Sequence, residues 1–118
     1  MLSKITSYIR YRIDFETKKD KMMAKGFEVN HFAEFPFRPS VKAKIEQTSM
    51  VVFRKGNLFE AYRFNESKNK TSEFPLFKSA LVGDKEITRF NKFIAEENFE
   101  YATMLLLAFT FDDDFIAI

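Results

Sequence analysis

The segment from Met50 to Phe64 restricts the fold of this chain more than any other part of its sequence. Two runs rich in β-branched and aromatic residues flank Lys55-Gly56-Asn57. Glycine and asparagine both tolerate the positive φ angles of tight hairpin turns, so the pattern predicts a β-hairpin over residues 50–64. Two-residue loops at 55–56 and at 56–57 pair different residues and turn opposite faces inward, and the pattern leaves this register open.

Alternation of apolar and polar residues predicts further strands over residues 9–15, 27–32 and 41–45. With the hairpin they make an antiparallel sheet of about five strands. The polar stretch 65–72 is expected to be a loop, and residues 74–82 to be extended or irregular. Because the sequence shows no linker and no repeat, we expect a single α+β domain spanning residues 1–118.

Two or three helices are expected to cover one face of this sheet, over about 16–25, 84–97 and 99–107. In the first helix, Met22 and Met23 are expected on the inner side, and Gly26 is placed to end the helix with a left-handed residue. The second helix begins with Asp84 as its N-cap. Its apolar stripe, which we expect to be buried, consists of Ile87, Phe90 and Ile94, and its solvated face of Lys85, Arg89 and Lys92.

The run from Phe99 to Phe111 carries little charge. It fits either a helix over 99–107 after an Asn98 cap or a strand buried on both faces, and for such a short run periodicity does not separate the two. We favour the helix. In either form the segment is expected in the core, with a role in folding and not in recognition.

The composition argues against catalysis. The chain has 16 phenylalanines, no cysteine and one histidine. A phenyl ring offers area and a π face but no proton or charge, and a catalytic triad would depend entirely on His31, which we expect to be structural. The three glycines are not spaced as a phosphate-binding loop, and the acids at 112–114 would converge on a metal only through a tight turn. No enzymatic activity, cofactor or metal site is predicted.

A surplus of phenylalanine and an uneven distribution of charge indicate binding instead. Residues 1–60 carry 12 Lys and Arg against 7 Asp and Glu, whereas residues 61–118 carry 7 against 10. Tyrosine and arginine are among the residue types most often found as interface hot spots. The predicted binding surface therefore lies on the hairpin and the basic N-terminal half, and its members are Tyr11, Arg12, Arg54, Tyr62 and Arg63.

We expect this surface to regulate or inhibit a protein partner by occlusion, and the charge asymmetry also suits a homodimer. The alternative is a single-stranded nucleic-acid-binding protein, in which bases stack on aromatic rings beside basic groups. Phe111-Asp-Asp-Asp-Phe115 resembles the acidic-aromatic tips with which bacterial and phage single-stranded-DNA-binding proteins recruit partners. The small Lys-, Asn- and Phe-rich chain also resembles the accessory proteins of AT-rich phages, many of which inhibit host or defence proteins.

The N-terminus lacks the apolar core of a secretory signal. The longest apolar run, residues 104–109, is far shorter than the roughly 20 residues that span a bilayer. We therefore expect a cytoplasmic protein that makes no membrane contact.

Overall fold

The computed structural model describes residues 12–34 and 48–111. In chain order the elements are β1 (Arg12–Asp14), α1 (Phe15–Ala24), β2 (Glu28–Ala33), β3 (Thr48–Lys55), β4 (Leu58–Asn65), β5 (Lys70–Ser72), β6 (Phe77–Ala80), α2 (Asp84–Ala95), α3 (Phe99–Leu107) and β7 (Thr110–Phe111). The predicted α+β class and antiparallel sheet are confirmed, with seven strands in place of about five. The strand predicted at 41–45 and the acids at 112–114 lie outside the described residues.

The strand β4 organises the sheet. The strands follow the order β1-β5-β4-β3-β2, and β6 pairs with both β4 and β7. One edge of β4 is occupied along its whole length by β3, while its other edge is divided between β5 at residues 64–65 and β6 at residues 58–61. Every one of these pairings is antiparallel.

The predicted hairpin is formed by β3 and β4, and its register is resolved. Lys55 pairs with Leu58, which leaves Gly56 and Asn57 as a two-residue loop. Gly56 has a φ of +61°, at the loop position where a type II′ turn requires glycine. Successive strand residues point to opposite faces of the sheet, and cross-strand partners share a face. In this register Val51 and its partner Tyr62 lie on one face, and Met50 and Val52 lie on the other.

Each face of the sheet carries its own core. On one face Met22 of α1 packs with a cluster that includes Phe53 and Tyr62. On the other face Phe90 of α2 and Leu106 of α3 pack with a second cluster, which contains Met50, Val52, Phe59 and Ala61. The expectation that all helices cover one face is therefore wrong, because both faces of the central strands are apolar and each requires a cover.

The helix boundaries follow the predictions closely. Asp14 caps α1 by accepting hydrogen bonds from the backbone N–H groups of residues 16 and 17, and Gly26 ends it with a φ of +93°. Within α1, Met22 is buried as expected, but Met23 is exposed. Asn98 caps α3 as expected. Asp84 is not the cap of α2, however, since Gly83 holds that position without a side-chain hydrogen bond.

The apolar stripe of α2 is buried in the predicted phase. Phe90 is fully buried, and Ile87 and Ile94 are partly buried against it. The basic residues of the opposite face are exposed, and these are Lys85, Arg89 and Lys92. The helix therefore turns toward the sheet the side that the periodicity indicated.

The stretch 65–72 contains a strand that local sequence did not predict. Residues 70–72 form β5, which pairs with β1 on one side and with β4 on the other. The segment has little apolar content. It forms a strand because the two neighbouring strands supply its backbone hydrogen-bond partners. Among the described residues, no helix is long and apolar enough to cross a membrane.

Candidate interaction surface

Of the five predicted binding residues, the structure describes the side chains of three, Arg54, Tyr62 and Arg63. Tyr11 lies outside the described residues, and for Arg12 the structure describes only the backbone, which pairs with Ser72 as part of β1. Arg63 and Arg54 are partly buried, and neither shares a face of the sheet with Tyr62. Arg54 and Arg63 lie on one face of β3 and β4 and Tyr62 lies on the other, so these three side chains do not share a face, and their role in binding stays a prediction.

Tyr62 is a core residue, with only 4% of its surface exposed. Its hydroxyl donates to Glu60 Oε1 at 2.7 Å, and its ring packs against Phe53 at a centroid distance of 5.7 Å. Burial, reinforced by the Glu60 carboxylate, raises the pKa of the phenol far above its ordinary value. The sequence analysis placed this residue on the surface because tyrosine is a frequent interface hot spot, and the sequence pattern did not show that α1 covers this face.

A buried lysine lies over the same ring. Lys18 Nζ is 4.2 Å from the centroid of Tyr62 and donates to the carbonyl oxygen of Glu73 at 2.7 Å. Burial, and then the nearby charges of Lys21 and Lys25, lower the pKa of Lys18. The amine and the phenol each have a protein partner within hydrogen-bond distance, so we interpret the cluster as part of the packing between α1 and the sheet.

Arg54 joins the hairpin to α2. Its Nε donates to the carbonyl oxygen of Gly56 at 2.6 Å, and Nη1 is 3.4 Å from Asn91 Oδ1. The guanidinium carbon lies 5.2 Å and 5.5 Å from the ring centroids of Phe59 and Phe90. These contacts give Arg54 a structural role, while for both arginines a role in binding stays a prediction.

His31 is structural, as expected. It is only 4% exposed, and its ring stacks on Phe99 at 5.5 Å with an interplanar angle of 13°. Nε2 is 2.9 Å from Thr103 Oγ1, and Nδ1 is 2.6 Å from the side-chain nitrogen of Asn30. Burial lowers the pKa of His31 to about 4, so the ring is neutral at neutral pH. It fixes α3 to β2 and offers no free nitrogen to a substrate.

The helix α3 carries apolar side chains on its outer side as well as on its inner side. Ala102, Thr103 and Leu106 face the sheet and are buried. On the opposite side Tyr101 and Met104 are 53% and 47% exposed. Glu100 is the only charged residue in the helix. The expectation that the whole segment lies in the core is therefore wrong for Tyr101 and Met104, while its expected role in folding stays a prediction.

The helices α2 and α3 present their outer sides as one surface. Residues 96–98 join them, and the two helices contact each other. The ring of Phe93 meets that of Tyr101 at 5.8 Å with an interplanar angle of 74°. Arg89 lies one turn from Phe93 and therefore borders the outer side of α3. We call this surface the outer hairpin face, after the helical hairpin of α2 and α3 and not the β-hairpin of β3 and β4. It consists of Lys85, Arg89, Lys92, Phe93, Tyr101 and Met104.

The α2 part of this face is open and carries an excess of basic groups. Its side chains are Asp84, Lys85, Thr88, Arg89 and Lys92, which all lie on the outer side of one helix. Within the described ranges, no group of His, Cys, Asp or Glu side chains is arranged to hold a metal ion. A contact surface that joins an apolar strip to basic side chains is suited to non-covalent recognition.

The sequence contained a signal for this surface. Between Phe99 and Phe109 it has one charged residue, so a helix there must be apolar on all sides. In a chain of this size a helix covering a sheet cannot bury its whole circumference.

No family model, curated protein or solved structure matches this chain.

Proposed function

We propose that this chain is a non-catalytic, cytoplasmic interaction protein that occludes the surface of a protein partner and binds it through the outer hairpin face. The observation that carries the proposal is the apolar outer side of α3, where Tyr101 and Met104 are about half exposed. A helix that is apolar all round is normally buried, and a contiguous apolar patch on a small protein marks an interaction site.

The side chains of this face suit protein recognition. Tyrosine is enriched in binding hot spots because it combines a large rigid ring with a hydroxyl group. Methionine adapts its shape to a partner, and the exposed basic side chains of α2, Lys85, Arg89 and Lys92, attract acidic groups. A non-catalytic role is supported by His31, the only histidine of the chain, whose ring is buried and held by two side chains.

The test compares two methionine substitutions. Met104→Glu puts a charge on the outer hairpin face, and Met23→Glu is the matched control, because Met23 is also exposed on a helix but belongs to α1 on the other side of the sheet. Both variants and the wild type are immobilised, and proteins retained from an extract of the source cells are quantified. Each retained protein is then purified and titrated calorimetrically against all three.

The proposal requires a partner that binds the wild type and Met23→Glu with equal affinity and binds Met104→Glu at least about tenfold more weakly, which corresponds to about 1.4 kcal/mol. It is refuted if every retained protein binds Met104→Glu as tightly as it binds the wild type. Circular dichroism on the three proteins establishes that the substitutions leave the fold intact.

A single-stranded nucleic acid is the second candidate, and one observation on α1 favours it. Lys21 and Lys25 are both exposed and lie four residues apart at the C-terminal end of α1. Phe74, which is 60% exposed, directly follows the carbonyl group that holds Lys18. A basic row beside an exposed ring is the combination on which bases stack.

Fluorescence anisotropy with a labelled single-stranded oligonucleotide tests this candidate. Binding that weakens with salt, and that is lost on changing Lys21 and Lys25 to Gln but not on changing Lys68 and Lys70 to Gln, would support it. All four lysines are exposed, so the pairs differ only in position. Equal losses from both pairs would indicate nonspecific attraction and would exclude a defined site on α1.

A further inference from the structure

The described methionines are divided between the interior and the surface. The chain contains five methionines and no cysteine. Met22 and Met50 are only 1% exposed, and each belongs to the core on a different face of the sheet. Met23 and Met104 are 56% and 47% exposed, on helices that cover opposite faces. An oxidant in solution therefore meets the side chains of Met23 and Met104 but not those of the two core methionines.

The thioether of methionine reacts with a hydroperoxide by oxygen transfer. The O–O bond breaks, one oxygen forms a bond to sulfur, and the other leaves as water when the oxidant is hydrogen peroxide. Sulfur loses two electrons, which the peroxide gains. The product is a polar, chiral sulfoxide, which sulfoxide reductases convert back to the thioether. Because the chain has no cysteine, no thiol of its own competes for the oxidant.

Met104 lies where this change alters the outer hairpin face and not the core. It is one turn of α3 from Tyr101, which is also about half exposed. The buried residues of α3 lie on the opposite side of the helix, and they are Ala102, Thr103 and Leu106. An oxygen on the Met104 sulfur therefore adds a polar group to the apolar outer side of α3.

We propose that Met104 is a reversible oxidation site, and that its sulfoxide releases the protein partner from the outer hairpin face. This control of binding rests on the proposed function, in which the partner covers the Met104 side chain. A thioether is buried at little cost, whereas the sulfoxide oxygen is a hydrogen-bond acceptor that is costly to bury without a donor. Because Met22 and Met50 are shielded, oxidation changes the surface while the fold is kept.

The oxidation site is tested first, without a partner. The full chain is treated with hydrogen peroxide at neutral pH, and peptide mass spectrometry with fragmentation follows the oxidised fraction of each methionine. Met23 and Met104 should oxidise at least about tenfold faster than Met22 and Met50, because susceptibility follows exposure. Circular dichroism should stay unchanged. The reductases for the two sulfoxide epimers, with dithiothreitol as the electron donor, should restore Met104.

Three results of this experiment would overturn the site. Oxidation of Met104 as slow as that of Met50 would mean that its sulfur is shielded. Oxidation of Met22 and Met50 as fast as that of Met104 would mean that the modification is not confined to the surface. A Met104 sulfoxide that the reductases do not reduce would exclude a reversible switch.

The control of binding is tested with a partner that Met104→Glu identifies. A partially oxidised sample of the wild type is passed over the immobilised partner, and the oxidised fraction of each methionine is measured in the retained and the unretained protein. We expect Met104 sulfoxide to be about tenfold depleted from the retained protein, because burying an unpaired acceptor costs more than 1 kcal/mol or so. Met23 sulfoxide is the internal control and should be distributed equally.

The two proposals fail in distinguishable ways. If Met104→Glu loses the partner but Met104 sulfoxide is retained as well as the thioether, the binding face stands and the control by oxidation is refuted. If every retained protein binds Met104→Glu like the wild type, the proposed binding face is refuted and the control of binding falls with it. The oxidation site itself is then decided by the relative rates at Met104 and Met50.

Discussion

Stability should fall in mild acid because of one buried histidine. His31 has Asn30, Thr103 and the rings of Phe90 and Phe99 around it. The amide nitrogen of Asn30 donates, so Nδ1 must accept and the single ring proton lies on Nε2, directed at Thr103. A second proton on Nδ1 would point at an N–H group, and none of these neighbours carries a negative charge.

The magnitude follows from the pKa of His31 in the two states. Burial lowers it from 6.5, the value expected in the unfolded chain, to about 4 in the folded protein. Since one pKa unit corresponds to about 1.36 kcal/mol, protonation should remove about 3 kcal/mol from the free energy of unfolding. Because the folded pKa is the lower one, the full stability is present above pH 6.5 and declines as the pH falls toward 4.

Urea unfolding from about pH 7.5 to about pH 4 measures this loss. The control is His31→Gln, which keeps a hydrogen-bonding side chain but does not titrate. Carboxylates titrate in both proteins and cancel in the comparison, and the chain has no other histidine. The wild type should lose about 3 kcal/mol more than the variant across this range.

Equal losses in the two proteins would refute the reasoning, because His31 would then titrate alike in the folded and unfolded states. If the Gln variant does not fold, an NMR titration of the His31 ring in the wild type decides the matter. A midpoint near 4 agrees with the buried neutral ring, and a midpoint near 6.5 contradicts it.

Three substitutions test the fold by denaturant unfolding. Gly56→Val should lower the free energy of unfolding by about 1–2 kcal/mol through backbone strain alone, since a Cβ at this position meets no atom within 4 Å. A loss near zero would mean that residue 56 does not have a positive φ. Phe90→Ala should cost about 3–5 kcal/mol, because the ring is fully buried between α2 and the sheet, and a cost below about 1 kcal/mol would place it at the surface. Tyr62→Ala should lower the free energy of unfolding by a similar amount, about 3–5 kcal/mol, and lower the melting temperature. An unchanged melting temperature would indicate that Tyr62 lies at the surface.

Local patterns predicted the β-hairpin and the three helices of this protein. The hairpin depended on Gly56, whose positive φ few residues can adopt, and the end of α1 depended on Gly26 for the same reason. The phase of α2 could be determined from the spacing of Ile87, Phe90 and Ile94, because a helix must turn its apolar stripe inward. These features arise within a few residues of the chain, where the sequence contains all the interacting groups.

Tertiary structure alone decided which surfaces are covered. Tyr62 and Met104 both lie in elements whose type was predicted, but Tyr62 is buried because α1 packs on its face of the sheet, and Met104 is exposed because α3 uses its other side. β5 likewise exists because β1 and β4 flank it. Burial and strand pairing depend on segments distant in sequence, and a pattern confined to one segment does not contain their positions.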